Sequence, residues 1–172
     1  MIIPLLATLQ QSTMTGDLAH RSFIGLGNFV TLFTDPRWSA SFWNALRNNV
    51  YFFVINMVVQ NPIGILLAAL LSNPTLRFRG FYRTAIFVPT ILSFVIVGFV
   101  WKLLLSPIWG VAPTIMKFFH AGQFFKPWLG VEQYALTTLS LISAWQYVGV
   151  PMMLVYAALL SIPDEVLEAA EC

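Results

Sequence analysis

The sequence predicts an all-α, polytopic helical membrane protein. Three observations carry that reading. Of its 172 residues, 58% are hydrophobic and 9% are charged, whereas a soluble domain carries about 25% charged residues. There is too little polar surface to cover a globule in water. Three continuous apolar runs reach the ~20 residues that a helix needs to cross hydrocarbon. Those runs do not alternate polar with apolar residues, as the strands of a membrane barrel would.

The elements follow in order. Residues 1–9 are apolar but too short to span. They lack a basic leader and a cleavage site, so a signal peptide does not fit. They are expected to be the outer end of a helix whose beginning is absent. Residues 13–49 carry mixed charge and are expected outside. The first full span covers residues 50–71 and contains Asn56, Gln60, Asn61 and Pro62. Asn56 and Gln60 are four apart and share a face. Pro62 removes a backbone hydrogen bond and should kink the helix.

Between the first and second spans lie Arg77, Arg79 and Arg83, with no acid among them. Basic residues in short loops mark the cytoplasmic side. The second span covers residues 85–105. Residues 106–133, with Lys117, Lys126 and Glu132, return outside. Trp101, Trp109 and Trp128 sit at the predicted outer interface, where amphipathic rings anchor. The third span covers residues 134–162, and the chain after it is cytoplasmic. One membrane-spanning domain over residues 1–172 is the expected organisation.

Absences narrow the function. The net charge is +2 and the basic residues are scattered, so no nucleic-acid partner is suggested. Cys172 is the sole cysteine, and His20 and His120 lie far apart, so neither a disulfide nor a metal site is expected. No phosphate loop, nucleophile elbow or zinc-protease motif occurs. An enzyme is not expected, and no cofactor is called for. No Asp or Glu falls within a span, and Lys102 lies near an end where it can snorkel. Proton-coupled carriers place ionisable groups inside the membrane, so no proton relay is visible.

The polar residues within the spans are the candidate solute path: Asn56, Gln60, Trp145, Gln146 and Tyr147. Amides bond hydroxyl groups, and ring faces cover C–H surfaces. That chemistry suits a neutral polar solute such as a sugar, with Trp145 and Gln146 the leading candidates. The competing reading is hydrogen bonding between helices, which membrane bundles use routinely.

The last segment reads as a helix start. Ser161 can cap it, with Pro163 in the first turn and Asp164 and Glu165 at the positive end of the dipole. Asp164 and Glu168 are four apart and form an acidic stripe. Ala169 and Ala170 leave room for another surface to approach. Taken alone, the same residues also describe an ordinary solvated turn.

Several segments, in order, resemble a known family. Phe23-Ile24-Gly25-Leu26-Gly27-Asn28-Phe29 looks like its F-x-G-L-x-N-F/Y stretch. Phe42-Trp43-Asn44-Ala45-Leu46-Arg47-Asn48 looks like F-W-x-A-L-x-N. Arg79-Gly80-Phe81-Tyr82-Arg83, followed by Phe87 and Pro89, looks like R-G-x-x-R…F-x-P. Trp101 with Ser106-Pro107 and Gly110 fits its outer turn. Ile162-Pro163 with Glu168-Ala169-Ala170 matches the start of its EAA loop. The sequence thereby resembles the permease subunit of binding-protein-dependent ABC importers, in the MalF/UgpA-like carbohydrate group.

The resemblance implies a MetI-like permease fold, truncated at both ends. The family's loop continues to a glycine beyond Glu-Ala-Ala, with further helices after it. The resemblance also implies that Glu168, Ala169 and Ala170 couple to a cytoplasmic ATP-binding subunit dimer. A second permease subunit and an extracytoplasmic solute-binding protein would complete the assembly. Its place would be the bacterial or archaeal cytoplasmic (inner) membrane, as a multi-pass protein among lipid. Two alternatives remain beside this reading: a helical channel or secondary carrier without an ATPase, and a structural or assembly membrane protein.

Overall fold

The computed structural model describes residues 2–17 and 20–163. About three quarters of the described residues are helical. Two compact units divide it, Met1–Val50 and Tyr51–Cys172.

The first unit begins with helix α1 (Ile2–Ser12) and a short antiparallel hairpin, β1 (Met14–Asp17) with β2 (His20–Phe23). Helix α2 (Gly27–Thr34) follows. The F-x-G-L-x-N-F stretch has a local physical reason. Gly25 sits at φ +57°, a conformation that costs glycine little. The Asn28 side chain donates to the carbonyls of Ser12 and Met14, both at 2.9 Å, and so ties the hairpin to the end of α1. Phe42 and Trp43 of the second motif lie with rings 5.4 Å apart, and Phe42 meets Phe33 edge-on at 5.3 Å.

Helix α3 (Pro36–Ile55) runs into a π-helical turn (Asn56–Gln60) and then α4 (Asn61–Ser72). Pro62 explains the turn. It lacks an amide hydrogen, and its ring crowds the carbonyl four residues back. A widened π turn just ahead of it relieves both. The backbone stays helical through the transition, with Gln60 at φ −65°, ψ −49° and Asn61 at φ −67°, ψ −48°. The whole run, Pro36–Ser72, is 37 residues long and apolar enough to cross a membrane. At 1.5 Å per residue it measures about 55 Å, well beyond a ~30 Å hydrocarbon layer. The helix therefore starts well before residue 50, where the apolar run begins.

Helices α5 (Arg79–Ile91) and α6 (Phe94–Leu104) occupy the region read as a second continuous span. They meet at an angle of 98°. Leu92 (φ −70°, ψ 142°) and Ser93 (φ −58°, ψ 130°) are both extended, so the helix ends and restarts in a new direction. A tight turn follows α6. The Ser106 hydroxyl accepts from the amides of Ile108 and Trp109, and the Gly110 amide donates to the Ser106 carbonyl at 2.9 Å. A Cβ at Gly110 would collide with that carbonyl oxygen, which accounts for the Ser-Pro…Gly spacing. Helix α7 (Val111–Phe118) and a 3-10 turn (Gly122–Phe124) lead to α8 (Glu132–Tyr147) and α9 (Gly149–Leu160). The last two form a 29-residue run that also satisfies the length and apolarity of a span.

The core of the second unit lies where α4 crosses α9. Ala68, Leu71, Met152 and Tyr156 are buried together. Lipid tails are as apolar as leucine, so such a crossing is held by close packing and hydrogen bonds rather than by escape from water. Small residues make it possible. A Cβ at Gly64 would come within 2.9 Å of Pro151 Cγ. One at Gly149 would lie 3.0 Å from the Ile86 carbonyl oxygen, Phe87 Cα and Thr90 Oγ1.

Candidate functional site

The candidate path residues of the second unit fall into two kinds. Gln60 and Gln146 serve backbone carbonyls at helix interruptions. Pro151 has no amide hydrogen, so the Tyr147 carbonyl four residues earlier loses its helical donor. The Gln60 side chain takes that place, donating Nε2 to the Tyr147 carbonyl at 3.2 Å. Gln146, only 3% exposed, donates Nε2 to the Leu92 carbonyl at 2.9 Å. The Thr90 hydroxyl donates to the Gln146 carbonyl at 3.0 Å. The α5–α6 bend and the α8–α9 junction are thus tied to each other from both sides.

Asn56 donates within its own helix, to the Phe52 carbonyl at 2.8 Å. Tyr147 is partly exposed, and neither it nor Asn56 nor Gln146 lines the two cavities described next.

Trp145 is the second kind. It is 45% exposed and borders both cavities. One, of about 450 Å³, lies among α4, α5 and α8, with Gln60, Ile63, Pro89, Leu141 and Trp145 in its wall. The other, of about 480 Å³, is an aromatic cleft lined by Trp101, Trp128, Tyr134, Thr137, Thr138 and Trp145. The Trp101 and Trp145 rings meet edge to face at 5.5 Å, a favoured arrangement of ring quadrupoles. The Tyr51 and Thr137 hydroxyls are 2.8 Å apart. Lys126 Nζ donates to the Tyr134 hydroxyl at 2.9 Å. Among the described residues, no charged side chain lines either cavity.

Such a surface covers apolar ring faces and offers hydroxyl partners, with the Lys126 ammonium beside it on Tyr134. Sequence reasoning placed Trp101 and Trp128 at the interface as anchors and did not join them to Trp145. Thr90 was not singled out either, although it directly follows Pro89. Ser161 turns its hydroxyl back onto the Ala158 carbonyl at 2.7 Å. Glu168, Ala169 and Ala170 lie outside the described residues.

No protein-family model matches the chain. Individual relatives do. It is 35% identical over 152 residues to the probable ABC transporter permease protein YurN of Bacillus subtilis, covering 88% of this chain and 51% of that protein. It is 34% identical over 171 residues to the lactose transport system permease protein LacF of Rhizobium radiobacter, covering 99% and 56% respectively. It is 30% identical over 169 residues to the sn-glycerol-3-phosphate transport system permease protein UgpA of Agrobacterium fabrum, covering 97% and 55%. The fold agrees. A chain in the crystal structure of a bacterial ABC transporter involved in the import of the acidic polysaccharide alginate superposes with a TM-score of 0.80 at 22% identity, over 98% of this chain and 55% of that one. Sequence and fold together make this chain a homologue of the permease subunits of sugar ABC transporters, spanning about half the length of the curated relatives it matches.

Proposed function

We propose that the chain forms part of the transmembrane path of an ABC importer that carries a neutral carbohydrate across the cytoplasmic membrane. The observation that carries this reading is the aromatic cleft around Trp101, Trp128, Tyr134 and Trp145, whose lining side chains carry no charge of their own. Ring faces there cover the C–H faces of a sugar, and Thr137 and Thr138 offer hydroxyls to its polar edge. Gln60 contributes the amide of the adjoining cavity. Gln146, buried and bonded to Leu92, positions the bend that presents Trp101 opposite Trp145. Homology to permeases named for lactose and for arabinooligosaccharides supports a carbohydrate.

Energy comes from separate ATP-binding subunits, the arrangement that the likeness to ABC transporter permeases supports. Glu168, Ala169 and Ala170 begin the segment that docks on them. A second permease subunit completes the path, and an extracytoplasmic solute-binding protein delivers the solute.

The test is uptake of radiolabelled carbohydrates by cells expressing the complete transporter. Uptake of a neutral sugar should require the ATPase subunit. Glu168→Arg should abolish both uptake and ATPase co-purification while leaving membrane insertion unchanged. Uptake that persists without the ATPase would replace this reading with a channel or secondary carrier. Unchanged co-purification of Glu168→Arg would remove the coupling role.

A further inference from the structure

A different cleft lies at the other end of the α8–α9 run from Tyr134. It measures about 190 Å³ and is lined by Leu71, Arg79, Gly80, Arg83 and Tyr156. Arg79 and Arg83 are four apart on α5 and share a face. The Arg83 guanidinium stands 5.7 Å from the Tyr156 ring centroid. Tyr156 is 7% exposed, and among the described residues its hydroxyl makes no hydrogen bond. Helix α5 begins at Arg79, and its preceding residue, Phe78, supplies no side-chain cap. The free amides of the first turn add the positive end of the helix dipole. At Gly80 a Cβ would meet nothing within 4 Å, so the cleft is open there.

Among the described residues, the polar groups lining this cleft, Arg79, Arg83 and the Tyr156 hydroxyl, favour an anion, and its size suits a phosphate. Two further features set its depth. Arg77, just before α5, and Arg79 and Arg83, in its first two turns, form a basic stretch without acids, the pattern of the cytoplasmic side. Phe78 and Phe81 beside them are 64% and 70% exposed, offering apolar contact that a free anion does not use. We propose that this cleft seats the phosphate of an anionic phospholipid from the cytoplasmic leaflet, with its acyl chains beside Phe78 and Phe81. Basic pockets between membrane helices on that side recognise such headgroups. The assignment rests on the membrane orientation and is independent of the solute.

The test is native mass spectrometry of the purified complete transporter, offered equal amounts of phosphatidylglycerol and phosphatidylcholine. Phosphatidylglycerol should be retained preferentially. Arg79→Gln and Arg83→Gln should each lower that preference about fivefold, and together about thirtyfold. The paired Arg79→Lys and Arg83→Lys variant keeps the charge and should keep a preference. Equal retention of the two lipids by the unmodified transporter would overturn the proposal without reference to any variant. So would a double glutamine variant that retains phosphatidylglycerol normally. Inorganic phosphate held in place of the lipid would assign the cleft to a free anion and overturn the lipid.

Discussion

Pro62 and Pro89 both interrupt apolar helices, yet only the second lies beside a turn of the chain. Ahead of Pro62 the helix widens into a π turn, every flanking residue stays helical, and the run continues to Ser72. Beyond Pro89 two residues enter the extended region, and the helix restarts 98° away. A proline removes one hydrogen bond in either place. The difference lies in what the chain does beyond the proline. At Pro62 the backbone re-registers within its own helix. At the bend, Leu92 has a buried amide from another helix waiting for it. At this bend a side chain from another helix bonds the carbonyl at the helix end, whereas at the α8–α9 junction the same kind of bond, from Gln60 to Tyr147, sits on a run that continues.

That contrast can be broken at four places. The largest effect is expected from Gly149→Leu, because the helix restart packs directly on the Ile86–Thr90 backbone. Overpacking there should cost about 3 kcal/mol, read as a fall in the thermal unfolding midpoint of the solubilised transporter. Gln146→Leu should come next, at about 2 kcal/mol, because it removes the side-chain donor to the Leu92 carbonyl. Gln60→Leu should cost less, about 1 kcal/mol, since Gln60 is only half-buried and its bond to Tyr147 is longer. Pro62→Ala should change stability least, within about 1 kcal/mol of the original, and leave the helix continuous. Spin labels at residues 51 and 72, on either side of the π turn, should keep their separation in that variant. A large shift in that separation would show that the π turn is not self-sufficient.

Much of this was legible in the sequence. Long apolar runs mark helices well because hydrocarbon demands them. Gln60 stood out because an amide within a span needs a partner. The bend at Leu92–Ser93 was not legible: neither residue is a glycine or a proline, and hydropathy is blind to backbone dihedrals. The early start of α3 was hidden because residues 36–49 include Arg37, Asn44, Arg47, Asn48 and Asn49, which lower apolarity without ending a helix. The hairpin at Met14–Phe23 is too short to produce a periodic signal. Trp101 and Trp145 meet only through the fold, so no spacing rule could have paired them. Gln146 was singled out as a polar residue within a span, but its neighbour carries the exposed surface.

Trp145 and Gln146 are adjacent in sequence and divide the work between solute path and scaffold. The decisive measurement is carbohydrate uptake per folded transporter, taken alongside the thermal midpoint, for Trp145→Ala. The account predicts uptake lowered at least about tenfold, the loss of roughly one stacking contact of 1.5 kcal/mol, with the midpoint nearly unchanged. Normal uptake, or a midpoint that falls as far as it does for Gln146→Leu, would contradict it.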